Sequence, residues 1–119
     1  MEYKATLEKD VAMTILSQIE GSYSGTVNFN GRSHRISALK MMGAKDFVYG
    51  KNFVQFIVQG KTDFNKVKII LNGKDLYDVE LWNVRVGPEP PYVVCDKVDE
   101  YNDLYAEQLG DLLVREVTY

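Results

Sequence analysis

The chain has 119 residues, 45% of them hydrophobic, which is enough to build the core of one ordinary domain. Its net charge of -3 argues against a protein devoted to neutralising phosphates, and its single cysteine, Cys95, excludes an internal disulfide and a multi-cysteine metal site. With no apolar run of membrane-spanning length and no signal-peptide pattern, we expect one domain over residues 1–119, located in the cytoplasm.

The first predicted element is an amphipathic helix over Thr6–Glu20, because apolar side chains recur there every three or four positions. After it, Asn30-Gly31 is a dipeptide that accepts positive φ at both central positions of a two-residue hairpin turn. Strand patterns over Ser22–Phe29 and Arg32–Leu39 flank this dipeptide. The sequence therefore predicts a β-hairpin directly after the helix.

Four more strands are predicted from runs of β-branched and aromatic residues that end at glycine or asparagine turns. They cover Phe47–Tyr49, Phe53–Val58, Lys66–Leu71 and Leu76–Val86. A meander is the simplest topology that joins them. In the last of these strands the apolar alternation changes phase between Leu81 and Trp82, which fits either a β-bulge or a strand that is partly buried on both faces.

The segment Gly87–Pro91 predicts the end of the sheet, since proline donates no ladder hydrogen bond. Beyond it, Cys95 is interpreted as a small buried residue, and Asp96 as the cap of an amphipathic helix that extends to Val117. The predicted fold is therefore α+β, with an antiparallel sheet of about five strands flanked by an N-terminal and a C-terminal helix. Tyrosines along the last helix make a homodimer a further expectation.

Three segments resemble, in order, a known group of proteins. They are Met-Gly-Ala-Lys-Asp-Phe-Val from Met42, Leu-Asn-Gly-Lys-Asp-Leu-Tyr-Asp-Val-Glu ending at Glu80, and Tyr-Ala-Glu-Gln-Leu from Tyr105. With them the chain resembles small bacteriophage and mobile-element proteins of unassigned function, while the hairpin over Ser22–Arg35 departs from that group. The resemblance implies a phage or mobile-element accessory protein and supplies no catalytic residues.

The predicted hairpin contains the first candidate binding residues, Arg32, His34 and Arg35. Two guanidinium groups can hold a phosphate or an acidic partner through paired hydrogen bonds. Solvated turn residues are the alternative interpretation. A catalytic triad built on His34 is disfavoured, because such a histidine needs a cleft beside a nucleophile and a hairpin is usually exposed.

A second candidate cluster consists of Trp82, Arg85 and Tyr92. Aromatic rings stack on bases, and nearby lysines such as Lys66 and Lys68 supply charge for a backbone of phosphates, so the cluster indicates ligand stacking. The alternative is that most aromatic side chains of a small domain fill its core.

Asp75, Asp78 and Glu80 are candidate ligands for Ca²⁺ or Mg²⁺, but they lack the spacing of an EF-hand loop. Asp75 follows an Asn-Gly turn, where a short polar side chain favours local hydrogen bonds, and Asp78 and Glu80 share one face of a strand. We expect no metal, no cofactor and no catalytic residue. The function hypothesis is a non-enzymatic accessory protein that binds a host protein, such as a defence component, and interferes with it. The alternative is a nucleotide or nucleic-acid binder: a sponge for a signalling nucleotide or a DNA-processing accessory. A membrane partner is not expected.

Overall fold

The computed structural model describes residues 2–59, 63–90 and 92–118, and the side chains of these residues except those of 2–8, 27, 29 and 35. Its helices are α1 (Glu2–Ser22), α2 (Ala38–Met41) and α3 (Leu109–Thr118), the last preceded by a 3₁₀ turn at Ala106–Gln108. Its strands are β1 (Thr26–Phe29), β2 (Arg32–Arg35), β3 (Lys45–Tyr49), β4 (Phe53–Ile57), β5 (Lys66–Leu71), β6 (Tyr77–Val86) and β7 (Val93–Leu104).

The main sheet is a five-stranded antiparallel meander in the order β3-β4-β5-β6-β7. The hairpin of β1 and β2 forms a separate two-stranded sheet between α1 and α2. With helices at both ends of the chain, the α+β class and the five-stranded sheet are confirmed. Among the described residues, no helix is both long and apolar enough to cross a bilayer.

The core lies between one face of the sheet, which we call the inner face, and the helices. Alternate residues of β4, β5 and β6 point into it, and Ile15, Ile19 and Leu113 of the helices are fully buried against them. The inner-face residues are Val54, Phe56, Val67, Ile69, Tyr77, Val79 and Leu81. The intervening residues form the opposite side of the sheet, the open face: Phe53, Gln55, Ile57, Lys66, Lys68, Ile70, Asp78, Glu80, Trp82, Lys97 and Glu100.

The two long helices cross at Gly110. A Cβ atom at this position would lie 2.4 Å from the carbonyl oxygen of Ile19 and 2.4 Å from the amide nitrogen of Tyr23. The Gly110 amide also donates a hydrogen bond of 2.7 Å to the Ser22 hydroxyl. Glycine therefore lets α3 approach the end of α1 closely enough for backbone contact.

Several local predictions are confirmed. Asn30 and Gly31 have φ values of 52° and 77°, as a two-residue hairpin turn requires. Strand β5 has the predicted bounds Lys66–Leu71. The β6–β7 register shifts between Leu81 and Trp82, as expected, but the extra residue is Val98 of β7, and β6 itself alternates regularly there. The first helix begins earlier than predicted, at Glu2.

The predicted helix from Asp96 to Val117 is wrong over its first half. Residues Val93–Leu104 form strand β7, and the helical part is Leu109–Thr118. Residues Gly87–Pro90 accordingly lie in a turn between β6 and β7 that does not end the sheet, and Pro91, the last residue of the predicted segment, lies outside the described residues. Strand β7 is an edge strand with exposed residues on both sides, so its sequence lacks the apolar alternation that identifies a strand.

Two smaller corrections follow. Cys95 is exposed on β7, whereas a buried position was predicted. The second strand of the first hairpin ends at Arg35, and residues from Ala38 form α2 because Ser37 caps that helix through its hydroxyl, which accepts the Lys40 amide.

Candidate functional site

Strands β6 and β7 extend past the rest of the sheet as a hairpin that we call the arm, described over residues 83–90 and 92–96. The first residue of β5, Lys66, pairs with Trp82, and beyond that point β6 and β7 pair with each other. The Asn65 side chain secures the base: its amide donates to the Val84 carbonyl at 2.7 Å, and its oxygen accepts from the Val84 amide at 2.8 Å. The base is rigidly held, while the rest of the arm is a two-stranded ribbon.

The tip of the arm presents apolar side chains to solvent. Val86 is 84% exposed, and Val93, its partner across the ribbon, is 54% exposed. Tyr92 is 54% exposed and has a φ of 68°, a left-handed conformation that an aromatic residue rarely adopts. Two backbone bonds of 2.8 Å fix it there, from Tyr92 to the Glu89 carbonyl and from Gly87 to the Tyr92 carbonyl.

The two faces of the arm differ in chemistry. Register and strand alternation place Val84, Val86, Val93 and Cys95 on the same side as Trp82. The other side carries Arg85, whose guanidinium pairs with the exposed carboxylate of Asp96. The predicted cluster of Trp82, Arg85 and Tyr92 is thus divided, with Trp82 and Arg85 on opposite faces.

Trp82 lies on the open face inside a polar network. Its indole nitrogen donates to Glu80 at 3.1 Å, and the Lys97 ammonium lies 5.7 Å from its ring centroid. Lys97 also contacts the carboxylates of Glu80 at 3.5 Å and Glu100 at 3.3 Å. The hydrogen bond to Glu100, more than any other cause, raises the pKa of Lys97. On this side of the open face two carboxylates share one lysine.

The neighbouring strands give the open face a different character. The Lys68 ammonium lies 4.5 Å from the ring centroid of Phe53, within cation–π range. Lys66 is the cross-strand neighbour of both Ile57 and Trp82. Strands β4 and β5 have no carboxylate, so this side of the face combines apolar and cationic side chains.

The first candidate cluster lies elsewhere. Arg32 and His34 are exposed on β2, opposite Phe29 and Val27 of β1. The backbone of Arg35 pairs with Thr26, while its side chain lies outside the described residues. This hairpin is a separate two-stranded sheet, so no strand pairing brings its residues together with those of β6 and β7.

The acidic residues weighed as metal ligands instead take part in local hydrogen bonds. Asp78 accepts from the Asn72 side chain at 3.1 Å and from the Asp103 amide at 3.0 Å. Glu80 accepts from Trp82 as described. No group of three possible metal-binding side chains occurs among the residues that the structure describes.

Sequence reasoning missed the exposed valines of the arm and the open face as a surface. The signal for the face was present in β4, where Phe53 and Ile57 alternate with the buried Val54 and Phe56, so the strand is apolar on both sides. No local signal marked the arm, because it depends on the pairing of β7.

The fold and these surfaces define a small α+β domain with one helix-covered sheet face, one open sheet face and a projecting apolar arm. Comparison of the chain with protein-family models, with curated proteins and with solved structures finds no match in any of the three.

Proposed function

We propose that the protein is a non-enzymatic binding protein that engages a host protein with the tip of its arm and interferes with that protein in the cytoplasm. The observation that carries this proposal is the exposure of Val86, Tyr92 and Val93 at the end of a secured ribbon. Exposed aromatic and aliphatic groups on a projecting hairpin are suited to fill a pocket of a partner. The resemblance to phage and mobile-element proteins supports a host component, such as a defence protein, as the target.

The backbone of Tyr92 supports the same proposal. A left-handed conformation costs an L-residue about 1 kcal/mol or more, and glycine would adopt it without that cost. The tyrosine side chain, 54% exposed, is poorly placed to recover this energy by packing within the chain. Backbone strain retained at an exposed position is typical of a functional site.

The test uses two arm variants and one matched control. Tyr92→Gly keeps both backbone bonds of the tip and removes the ring and the strain. Val86→Thr removes apolar character from the arm at nearly constant shape. Val98→Thr makes the same change at a β7 residue outside the arm that is 45% exposed.

The variants are compared by affinity capture from host lysate, followed by calorimetric titration of the purified candidate partner. We expect Tyr92→Gly to weaken binding by about 30-fold and Val86→Thr by about fivefold, as for a central and a neighbouring contact residue. Val98→Thr should bind like the wild type. Equal affinity of all four proteins for the purified partner would refute the arm as the binding site.

A second function, nucleotide or nucleic-acid binding, is favoured by a separate observation, the position of Lys66 and Lys68 beside Phe53 and Trp82 on the open face. Trp82 is the only tryptophan of the chain, so its fluorescence reports directly on that face. Mono-, di- and cyclic nucleotides and a single-stranded oligonucleotide should quench Trp82 and raise the melting temperature if this function holds. If no ligand of the series quenches Trp82 fluorescence or raises the melting temperature, nucleotide and nucleic-acid binding is eliminated.

A further inference from the structure

The open face has more apolar surface than a water-facing sheet side usually has. A sheet with one solvated face normally alternates apolar inward and polar outward residues. Here the outward positions of β4 are Phe53, Gln55 and Ile57, and β5 adds Ile70 at the position paired with Phe53. In the described part of the chain, the buried residues of all three helices join the core on the other side of the sheet.

Charge is segregated across this face. Lys66 and Lys68 of β5 have no carboxylate within salt-bridge distance among the described residues. On the adjacent side, Glu80 and Glu100 share the single cation of Lys97, which leaves an excess of negative charge. Strand β5, whose lysines lack carboxylate partners, thus runs beside β6 and β7, whose open-face side chains have a net negative charge. Both sides of the face also carry apolar groups.

We infer that the open face is covered by the open face of a second copy of this chain. A two-fold axis parallel to the strands, between β5 and β6, exchanges the two sides of the face. Lys68 and Glu80 are direct neighbours across β5 and β6, as are Lys66 and Trp82. The axis therefore lays Lys68 over the other copy's Glu80 and Lys66 over its Trp82, and each contact occurs twice.

This arrangement pairs the charged centre of the face, and where it lays Ile70 over the other copy's Asp78, that carboxylate already accepts hydrogen bonds from the Asn72 side chain and the Asp103 amide. The unpaired lysines meet the acidic side, the tryptophan ring meets a cation, and the apolar residues are removed from water. A polyanion would match only the β5 side and would be repelled by Glu80, Glu100 and the chain's net charge of -3. Charge complementarity therefore favours a second copy over nucleic acid.

The dimensions predict a weak dimer. The axis lays strands β4 to β7 over the same four strands of the other copy in reverse order and leaves the edge strand β3 outside the contact. Four strands about 4.8 Å apart and about six residues long give a footprint of roughly 400 Å² per copy, below the roughly 800 Å² of a standard interface. Association in the micromolar range is expected, with both arms projecting from the same end. The inference is independent of the proposed binding by the arm, because the tip of the arm lies outside this footprint, whereas it competes with nucleotide or nucleic-acid binding, which would use the same face.

Charge reversal provides the test, read by sedimentation velocity of the full chain from about 10 µM to about 1 mM. Lys68→Glu and Glu80→Lys should each weaken self-association at least about tenfold, since each places like charges together. An equimolar mixture of the two single variants should associate with an affinity within about threefold of the wild type, because opposite charges then meet again. The double variant, with both changes in one chain, should do the same. Lys9→Glu on α1 makes the same charge change on the helical side and should have no effect.

Circular dichroism and thermal melting establish that each variant is folded. If one of the single variants does not fold, the wild type alone still tests the dimer. Its self-association should weaken at least about fivefold between 50 mM and 500 mM NaCl, because the contacts are charged. A wild type that sediments as a monomer throughout overturns the inference, as does a mixture that fails to recover association. If a single-stranded oligonucleotide binds the monomer and this binding is lost in Lys68→Glu, the inference of a dimer is overturned in favour of nucleic-acid binding.

Discussion

Replacement of Gly110 by alanine tests how closely α3 must approach α1. In an ordinary helix this change stabilises by about 0.5–1 kcal/mol, because alanine has less conformational freedom to lose. Here the new Cβ would lie 2.4 Å from backbone atoms of Ile19 and Tyr23. Real side chains do not tolerate such contacts, and backbone atoms cannot rotate away, so the two helices must separate.

The expected magnitude combines three terms. Overpacking of a tight contact costs about 1–3 kcal/mol, and the Gly110–Ser22 hydrogen bond of 2.7 Å contributes about 1 kcal/mol. Subtracting the helix-propensity gain leaves a net destabilisation of about 1–3.5 kcal/mol, with a middle value of about 2 kcal/mol. For a chain of this size that lowers the melting temperature by about 10 °C.

Gly21→Ala is the matched control. Gly21 also lies near the end of a helix, in the last turn of α1, but a Cβ there meets nothing within 4 Å. We expect this variant to gain about 0.5 kcal/mol, opposite in sign to Gly110→Ala. Urea denaturation of both variants measures the difference. Equal stabilities would refute the close helix crossing, and with it the reasoning from backbone contact.

The remaining predictions concern a phenol, a helix cap and the core. The Tyr101 hydroxyl donates to Glu116 at 2.8 Å, which raises the pKa of Tyr101 from 10.0 to about 12. The hydrogen bond of the protonated phenol therefore stabilises the fold fully below pH 10, and this contribution is lost as the pH rises through 12. In alkaline denaturation the Tyr101→Phe variant should lose less stability between these pH values than the wild type does. Ser37→Ala should cost about 1 kcal/mol in urea denaturation by removing the α2 cap. Phe56→Ala, at a position 1% exposed, should cost about 3–5 kcal/mol by calorimetry, whereas a loss below 1 kcal/mol would contradict its central place in the core.

The parts of the fold that the sequence predicted well are those decided by neighbours in the chain. Asn30 and Gly31 specify their turn through their own backbone preferences, and Lys66–Leu71 shows its strand through alternation against a helix-covered face. The register shift beside Trp82 has a different origin from the predicted one, because the extra residue, Val98, belongs to β7, and the apolar residues after Leu81 change face because the arm is apolar on the side of Trp82.

Strand β7 was not predictable in this way, since its structure depends on pairing with β6. Valine, tyrosine and carboxylates at spacings of three and four fit a helix, and its edge position removes the alternation that would argue against one. Because β7 was predicted as part of a helix, neither the arm nor the exposure of Val86 and Val93 could be predicted. The candidate residues Trp82, Arg85 and Tyr92 were close in sequence, but only the register shows that they point in different directions.

The edges of the sheet explain why self-association should stop at a dimer. Edge strand β7 carries Asp96, Lys97, Asp99, Glu100 and Asp103, and Asp103 has a φ of 57°, which interrupts a regular edge. The other edge, β3, has only five residues and a register shift with Asp46 at a φ of 55°. Charged, irregular edges resist the strand-to-strand pairing that leads to open fibres. The open face has no such protection, so association through it alone forms a closed pair, and sedimentation should show no species larger than a dimer.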